Sequence, residues 1–97
     1  MSKGYWVVAY QSISDQDRLT AYGKLAGPAV ADAGGKFLAR GGQVVPHEAG
    51  LNQRTVLVEF PSYEAALAAY DTPDYRKALE TLGDAAVRDL RIIEGVD

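Results

Sequence analysis

Cysteine is absent from the chain, which removes disulfides, thiolate nucleophiles and cysteine-ligated metals from consideration. Histidine occurs once, as His47. One imidazole does not make a zinc site, which ordinarily recruits several His or Cys ligands, so no metal is expected. Haem is disfavoured on the same ground, because its one conventional nitrogen ligand falls in a loop-like stretch. An excess of positive charge is missing too: 10 Lys and Arg stand against 13 Asp and Glu, for a net charge of −3. With no basic stripe to follow a phosphate backbone, no nucleic-acid partner is expected. No apolar run approaches membrane-spanning length, and that of MSKGYWVVAY is too short for a signal-peptide core followed by a cleavage site. The expectation is a cytoplasmic protein with no membrane partner. Gly41-Gly42 has neither GxGxxG nor P-loop spacing, which argues against a nucleotide, and no Ser-His-Asp arrangement can be drawn. No cofactor of any kind is expected.

What is present is an ordinary globular composition, 47% hydrophobic and 24% charged, over 97 residues. That length predicts one domain, residues 1–97, with a modest core of its own. Tyr5 to Gln11 is dense in aromatic and β-branched residues and reads as a strand. Ser14-Asp15-Gln16-Asp17 fits a capping box and opens a helix with Leu19, Tyr22, Ala26, Ala29, Val30 and Ala33 near helical spacing. Pro28 predicts a kink within it, and Gly34-Gly35 ends it. Lys36 to Arg40 is a second strand, stopped or bulged at Gly41-Gly42. A long connection follows, with Val44-Val45 strand-like, and then a third strand from Arg54 to Phe60. Ser62 caps a second helix whose apolar stripe is Ala66, Leu67 and Tyr70. Thr72-Pro73 breaks it and restarts it, Thr72 as cap and Pro73 in the first turn. Tyr75, Leu79 and Leu82 continue the apolar face to Gly83. Val87 to Glu94 is the last strand. The order β-α-β-β-α-β predicts an α+β, ferredoxin-like fold: an antiparallel four-stranded sheet with two helices on one face.

Strand residues alternate between faces. Trp6, Val8, Tyr10, Phe37, Ala39, Val56, Val58, Phe60, Leu90 and Ile92 make an apolar set that belongs under the helices. The other set mixes apolar Val7, Leu38, Leu57 and Ile93 with charged Arg40, Glu59, Asp89 and Arg91. Left uncovered, its apolar members would mark an interface, and a two-fold homodimer packing sheet on sheet would bury it. Charges in such an interior must be paired or hydrogen-bonded. Arg40 then either pairs with a carboxylate such as Glu59 or holds an anionic ligand in its planar fork.

The segments KGYWVVAY, GGKFLARGG, RTVLVEFPSYEAALAAYDTPDYRKAL and LRIIEGV, in this order and spacing, resemble the domain of unknown function 1330 family. The resemblance covers nearly the whole chain. It implies a dimeric α+β barrel, a superfamily that includes cofactor-free monooxygenases, lactone isomerases, haem-binding peroxidase-like proteins and stress-response proteins. Ligands there sit in the barrel or between sheet and helices of one subunit. Tyr22, Arg40, Arg54, Glu59, Phe60, Ser62, Tyr70 and Tyr75 match the family pattern, which implies structural importance for them.

Two readings follow. In the first, a homodimer binds a small organic molecule, anionic or aromatic, and as a cofactor-independent enzyme would isomerise, cyclise, hydrolyse or oxygenate it. Arg40 and Arg91 then anchor the ligand, Tyr22 and Tyr70 shape its pocket, and His47 or Glu59 moves protons. Against this, His47 reads equally as a solvated loop residue, and the tyrosines as plain core packing. The second reading is a non-catalytic dimeric structural or stress-related protein, whose barrel charges only lock the interface. A module that uses an exposed edge strand to bind other proteins is a weaker third.

Overall fold

A computed structural model describes residues 2–96, so the two ends of the expected 1–97 domain lie outside the described residues. Four strands form one antiparallel sheet in the order β2-β3-β1-β4: β1 (Gly4–Ile13), β2 (Lys36–Arg40), β3 (Thr55–Phe60) and β4 (Ala86–Glu94). Among the described residues there are three helices: α1 (Gln16–Asp32) between β1 and β2, then α2 (Tyr63–Tyr70) and α3 (Pro73–Leu82) between β3 and β4. The expected order holds, with the second helix divided at Asp71–Thr72. Ser62 caps α2 by accepting from the Ala65 amide, and Thr72 caps α3 by accepting from the Tyr75 amide, with Pro73 in the first turn. The cap of α1 is Asp15, which accepts from the Arg18 amide, rather than Ser14. Ser14 instead donates its hydroxyl to the Ala85 carbonyl at the entry to β4. α1 continues to Asp32 through Pro28. Residues 41–53 contain no strand, Val44-Val45 included.

The core sits between the helices and one face of the sheet. Trp6, Val8, Tyr10, Val56, Val58 and Phe60 rise from the sheet to meet Leu19, Tyr22, Ala26, Ala29 and Val30 of α1, Ala66 and Ala69 of α2, and Tyr75, Ala78 and Leu82 of α3. The buried stripe of α2 is thus Ala66 and Ala69, and Leu67 faces out. Trp6 is the hub: its ring lies 5.0 Å from that of Tyr75, 5.3 Å from Phe60 and 6.0 Å from Tyr70, and its indole N–H donates to the Ala66 carbonyl at 2.8 Å. That bond satisfies the one polar atom a buried tryptophan brings with it.

Two one-residue register shifts decide which side chains reach the core. Between β2 and β3, Phe37 pairs with Val58, but Ala39 pairs with Leu57 and Arg40 with Val56. Leu38 is the extra residue. A bulge of this kind reverses the phase of everything beyond it, so Arg40 shares the covered face with Val56. The expectation that Arg40 lies on the open face is corrected here, and with it the placement of Ala39. Between β1 and β4 the shift falls at Gln11, after Tyr10 has paired with Arg88.

The open face keeps Val7 (37% exposed), Leu38 (45%), Val87 (53%) and Ile93 (56%), with half-buried Leu57 among them. Glu59 on this face takes the ammonium of Lys3 at 3.2 Å. Arg91 lies exposed and bonds its strand neighbour Asp89 from Nε and Nη2 at 3.1 and 3.2 Å. Glu59 and Arg40 therefore stand on opposite faces of the sheet, and the suggested pair between them does not form.

Candidate anion site

At one end of the covered face the apolar stripe of every strand gives way to a polar residue: Tyr10 after Val8, Arg54 before Val56, Arg40 after Phe37 and Arg88 before Leu90. The strands are antiparallel, so these four residues gather at the same end. Tyr10 pairs with Arg88 on one side and donates its amide to the Arg54 carbonyl on the other. The result is a row, Arg54–Tyr10–Arg88, across three strands. The guanidinium carbons of Arg54 and Arg88 lie 5.9 and 5.7 Å from the centre of the Tyr10 ring, within cation–π reach.

Above the row is a cavity of about 40 Å³, walled by Trp6, Val8 and Val58 of the sheet, Leu19, Tyr22, Gly23 and Ala26 of α1, Tyr75 of α3, and Arg40, Arg54 and Arg88. A water needs ~10–15 Å³ of such space, so there is room for more than one, or for a small polar ligand. No carboxylate or imidazole lines it among the described residues. The ion pairs of Arg18, Arg76, Arg91 and Lys3 lie elsewhere, and none involves Arg40, Arg54 or Arg88. In a chain that is acidic overall, positive charge is gathered at one cavity without counter-charge from the described residues.

Each guanidinium is held differently. Arg40 donates to the Gly23 carbonyl at 3.1 Å and lies 4.3 Å over the Phe37 ring. A Cβ added at Gly27 would come within 3.3 Å of its Nη1, so the glycines one turn apart on α1 leave the space it uses. Arg54 packs under Gly41, whose φ of 72° needs no strain only because it has no Cβ. Its Nε is buried and has no hydrogen-bond partner among the described residues. Arg88 donates from Nη1 to the Tyr22 hydroxyl at 2.9 Å and from Nη2 to that of Tyr75 at 3.4 Å, and the two hydroxyls are 2.7 Å apart. Burial pushes the Tyr22 phenol far above the ordinary tyrosine range; Tyr75 adds to the shift and Arg88 opposes it. Burial works against the charge on Arg88, but the phenol oxygens of Tyr22 and Tyr75 more than offset it and hold the guanidinium protonated.

Of the residues singled out in the sequence, the structure brings Arg40 and Tyr22 to this cavity. Tyr70 packs behind it, 5.4 Å from the Tyr75 ring, without lining it. His47 is exposed in the loop between β2 and β3, and Glu59 and Arg91 are on the other face. Arg88 escaped notice, although it stands in phase with Leu90 and Ile92. Tyr75, expected with Tyr22 and Tyr70 among the phenols of a pocket between helices and sheet, does line the cavity, whereas Arg54 stood out in the sequence only as the start of a strand and a match to the family pattern. An arginine in phase with the buried residues of a strand was the available signal at positions 54 and 88.

The frame around this cavity, a four-stranded antiparallel sheet with helices on one face in the order found here, defines a ferredoxin-like α+β protein. The chain belongs to the family described as domain of unknown function (DUF1330), whose model matches residues 3–96. Among solved structures it is similar to a protein of unknown function from Rhodopseudomonas palustris, with 21% identity and a TM-score of 0.73 over 99% of this chain and 84% of that one. It is also similar to SnoaB, a cofactor-independent oxygenase from Streptomyces nogalater, with 10% identity and a TM-score of 0.62 over 100% and 96% of the two chains. A dimeric ferredoxin-like protein of unknown function from Thermobifida fusca shares 14% identity at a TM-score of 0.55 over 96% and 91%. At these identities the likeness is one of fold. The comparison with curated proteins gives no match. No helix among the described residues is long and apolar enough to cross a membrane.

The raised phenol predicts a pH signature. A group whose folded-state pKa is raised leaves stability level below its unfolded value and lowers it as pH climbs above that value, because only the unfolded chain then releases the proton. Stability should therefore hold up to about pH 10 and then fall, with Tyr22 contributing about 1.4 kcal/mol per pH unit. Urea unfolding of the wild type and Tyr22→Phe between pH 8 and 11 measures this. The alkaline slope should be shallower in the variant, and equal slopes would mean that Tyr22 ionises freely in the folded state.

Proposed function

We propose that the protein is a cytoplasmic homodimer that binds a small organic anion in the cavity of each subunit, between α1, α3 and the sheet. The observation that carries this reading is the set of Arg40, Arg54 and Arg88 around a space lined by no acid, with the Nε of Arg54 buried and unpartnered. Arg54 and Arg88 are partly buried and Arg40 closes the set from the exposed side; guanidinium groups gathered in this way repel one another and leave donors unused, and an anion relieves both costs. The apolar surroundings, Trp6, Val8 and Val58, suit the organic part of such a ligand. If the protein is an enzyme, its reaction is cofactor-independent and relies on hydrogen-bond donors. The described lining of the cavity offers no carboxylate or imidazole, Glu59 lies across the sheet from it, and His47 would need to meet the ligand from the loop outside. The likeness in fold to a cofactor-independent oxygenase is compatible with this.

The homodimer is supported by the exposed apolar side chains of the open face and by the likeness to a dimeric ferredoxin-like protein. Glu59, Asp89 and Arg91 would then lie in or beside the interface. There they set its register, as in the alternative reading of a non-catalytic dimer.

Thermal unfolding with formate, acetate, propionate and benzoate tests the binding. At ten times its Kd, a ligand of the native state adds about 1.4 kcal/mol, or some 6–11 °C for a domain of this size. At least one of these acids should raise the wild-type Tm in this way and leave Arg54→Met unmoved. No rise with any of them, or an equal rise in the variant, contradicts the anion site. For assembly, light scattering at micromolar concentration should give twice the chain mass for the wild type and the single mass for Ile93→Asp. A monomeric wild type would remove the dimer.

A further inference from the structure

The hydrogens of the cavity can be counted. Tyr22 and Tyr75 carry one hydroxyl hydrogen each, and one of these lies between the two oxygens at 2.7 Å. Arg88 donates to both oxygens and takes neither hydrogen. Whichever phenol donates to the other, the acceptor's own hydrogen is left over, and among the described residues it has no acceptor. The cavity thus presents two kinds of unused donor. One is charged, from Arg54 and its neighbours, and the other is a neutral phenol polarised by Arg88. A buried donor without an acceptor has given up its water and gained nothing in return, so it favours any ligand atom that can accept from it. A carboxylate that spends both oxygens on the guanidinium forks leaves the phenol hydrogen to another acceptor.

We propose that the ligand is a short 2-oxo acid or its enol form, with the carboxylate held by the arginines and the oxygen on the neighbouring carbon accepting the spare phenol hydrogen of the Tyr22–Tyr75 pair. This rests on the anion site proposed above and adds to it the second oxygen. The chemistry suits the elements. Guanidinium matches the flat carboxylate, and a phenol backed by a guanidinium suits an oxygen that carries partial or developing negative charge. The small cavity suits a ligand of few atoms. Because burial holds the Tyr22 phenol protonated, this donor persists across the neutral and alkaline range.

Calorimetric titration with pyruvate and with propionate, which differ at C2 by an oxo group, tests the proposal. The proteins are the wild type and Tyr22→Phe/Tyr75→Phe; the double variant is required because either single one leaves a hydroxyl with a hydrogen to donate. The wild type should bind pyruvate about tenfold more tightly than propionate, the worth of one net hydrogen bond of about 1.4 kcal/mol. The double variant should bind the two acids alike. Circular dichroism and the retained binding of propionate report whether it is folded. Equal affinities in the wild type, or a preference for pyruvate that survives in the double variant, would overturn the 2-oxo assignment and leave the anion site standing. Binding of neither acid by the wild type would remove both.

Discussion

Positive charge drawn together with no carboxylate beside it among the described residues is the constraint around which this fold is arranged. Arg54, Tyr10 and Arg88 cross three strands in one row, and Arg40 closes the row from the edge strand. Arg54 and Arg88, half-buried beside tryptophan and valine, need acceptors or counter-charge, and the exposed Arg40 adds its charge at their side. The protein supplies part of this: the Gly23 carbonyl for Arg40, two phenol oxygens for Arg88, and the π-faces of Phe37, Tyr10 and Tyr22. The remainder is left to the space the three of them enclose. The glycines of α1 belong to the same arrangement. A glycine inside a helix costs about 0.5–1 kcal/mol relative to alanine, and Gly23 and Gly27 leave room for the Arg40 guanidinium.

The aromatic cluster gives this charge a rigid floor. Trp6 holds α2 through the Ala66 carbonyl and stacks its edge against Tyr75, whose hydroxyl meets Tyr22 and Arg88. Core packing and site chemistry therefore share residues: the buried body of Tyr75 belongs to the core, and its polar tip to the cavity. The opposite face of the sheet has a different character, with charges that are paired locally, Lys3 with Glu59 and Arg91 with Asp89, around exposed aliphatic side chains.

Much of this is legible in the sequence, and the parts that are not have identifiable reasons. Element order follows from local signals that tertiary structure did not override: Ser62 and Thr72 cap, Pro73 occupies the first turn, and Leu19, Tyr22 and Ala26 keep helical spacing. Arg40 was placed on the wrong face because strict alternation through KFLAR has no mark for a bulge at Leu38, which register alone shows. Asp15 displaced Ser14 as the cap because the Ser14 hydroxyl was engaged by the distant Ala85 carbonyl. Arg88 was legible and missed: it alternates in phase with Leu90 and Ile92, and a charge in phase with a buried stripe is the feature to search for. The remoteness of His47 from the cavity is a matter of how a long loop is laid down, which no short-range pattern encodes.

The most direct measurement is of the orphaned donor itself. In ¹⁵N-correlated spectra of the arginine Nε–H groups, titration with formate should move the Arg54 signal saturably and leave those of Arg76 and Arg91 in place. That result would mean the cavity takes an anion at the one buried side-chain nitrogen left unpartnered among the described residues. An unmoved Arg54 signal, or a uniform drift of every arginine with ionic strength, would contradict the account.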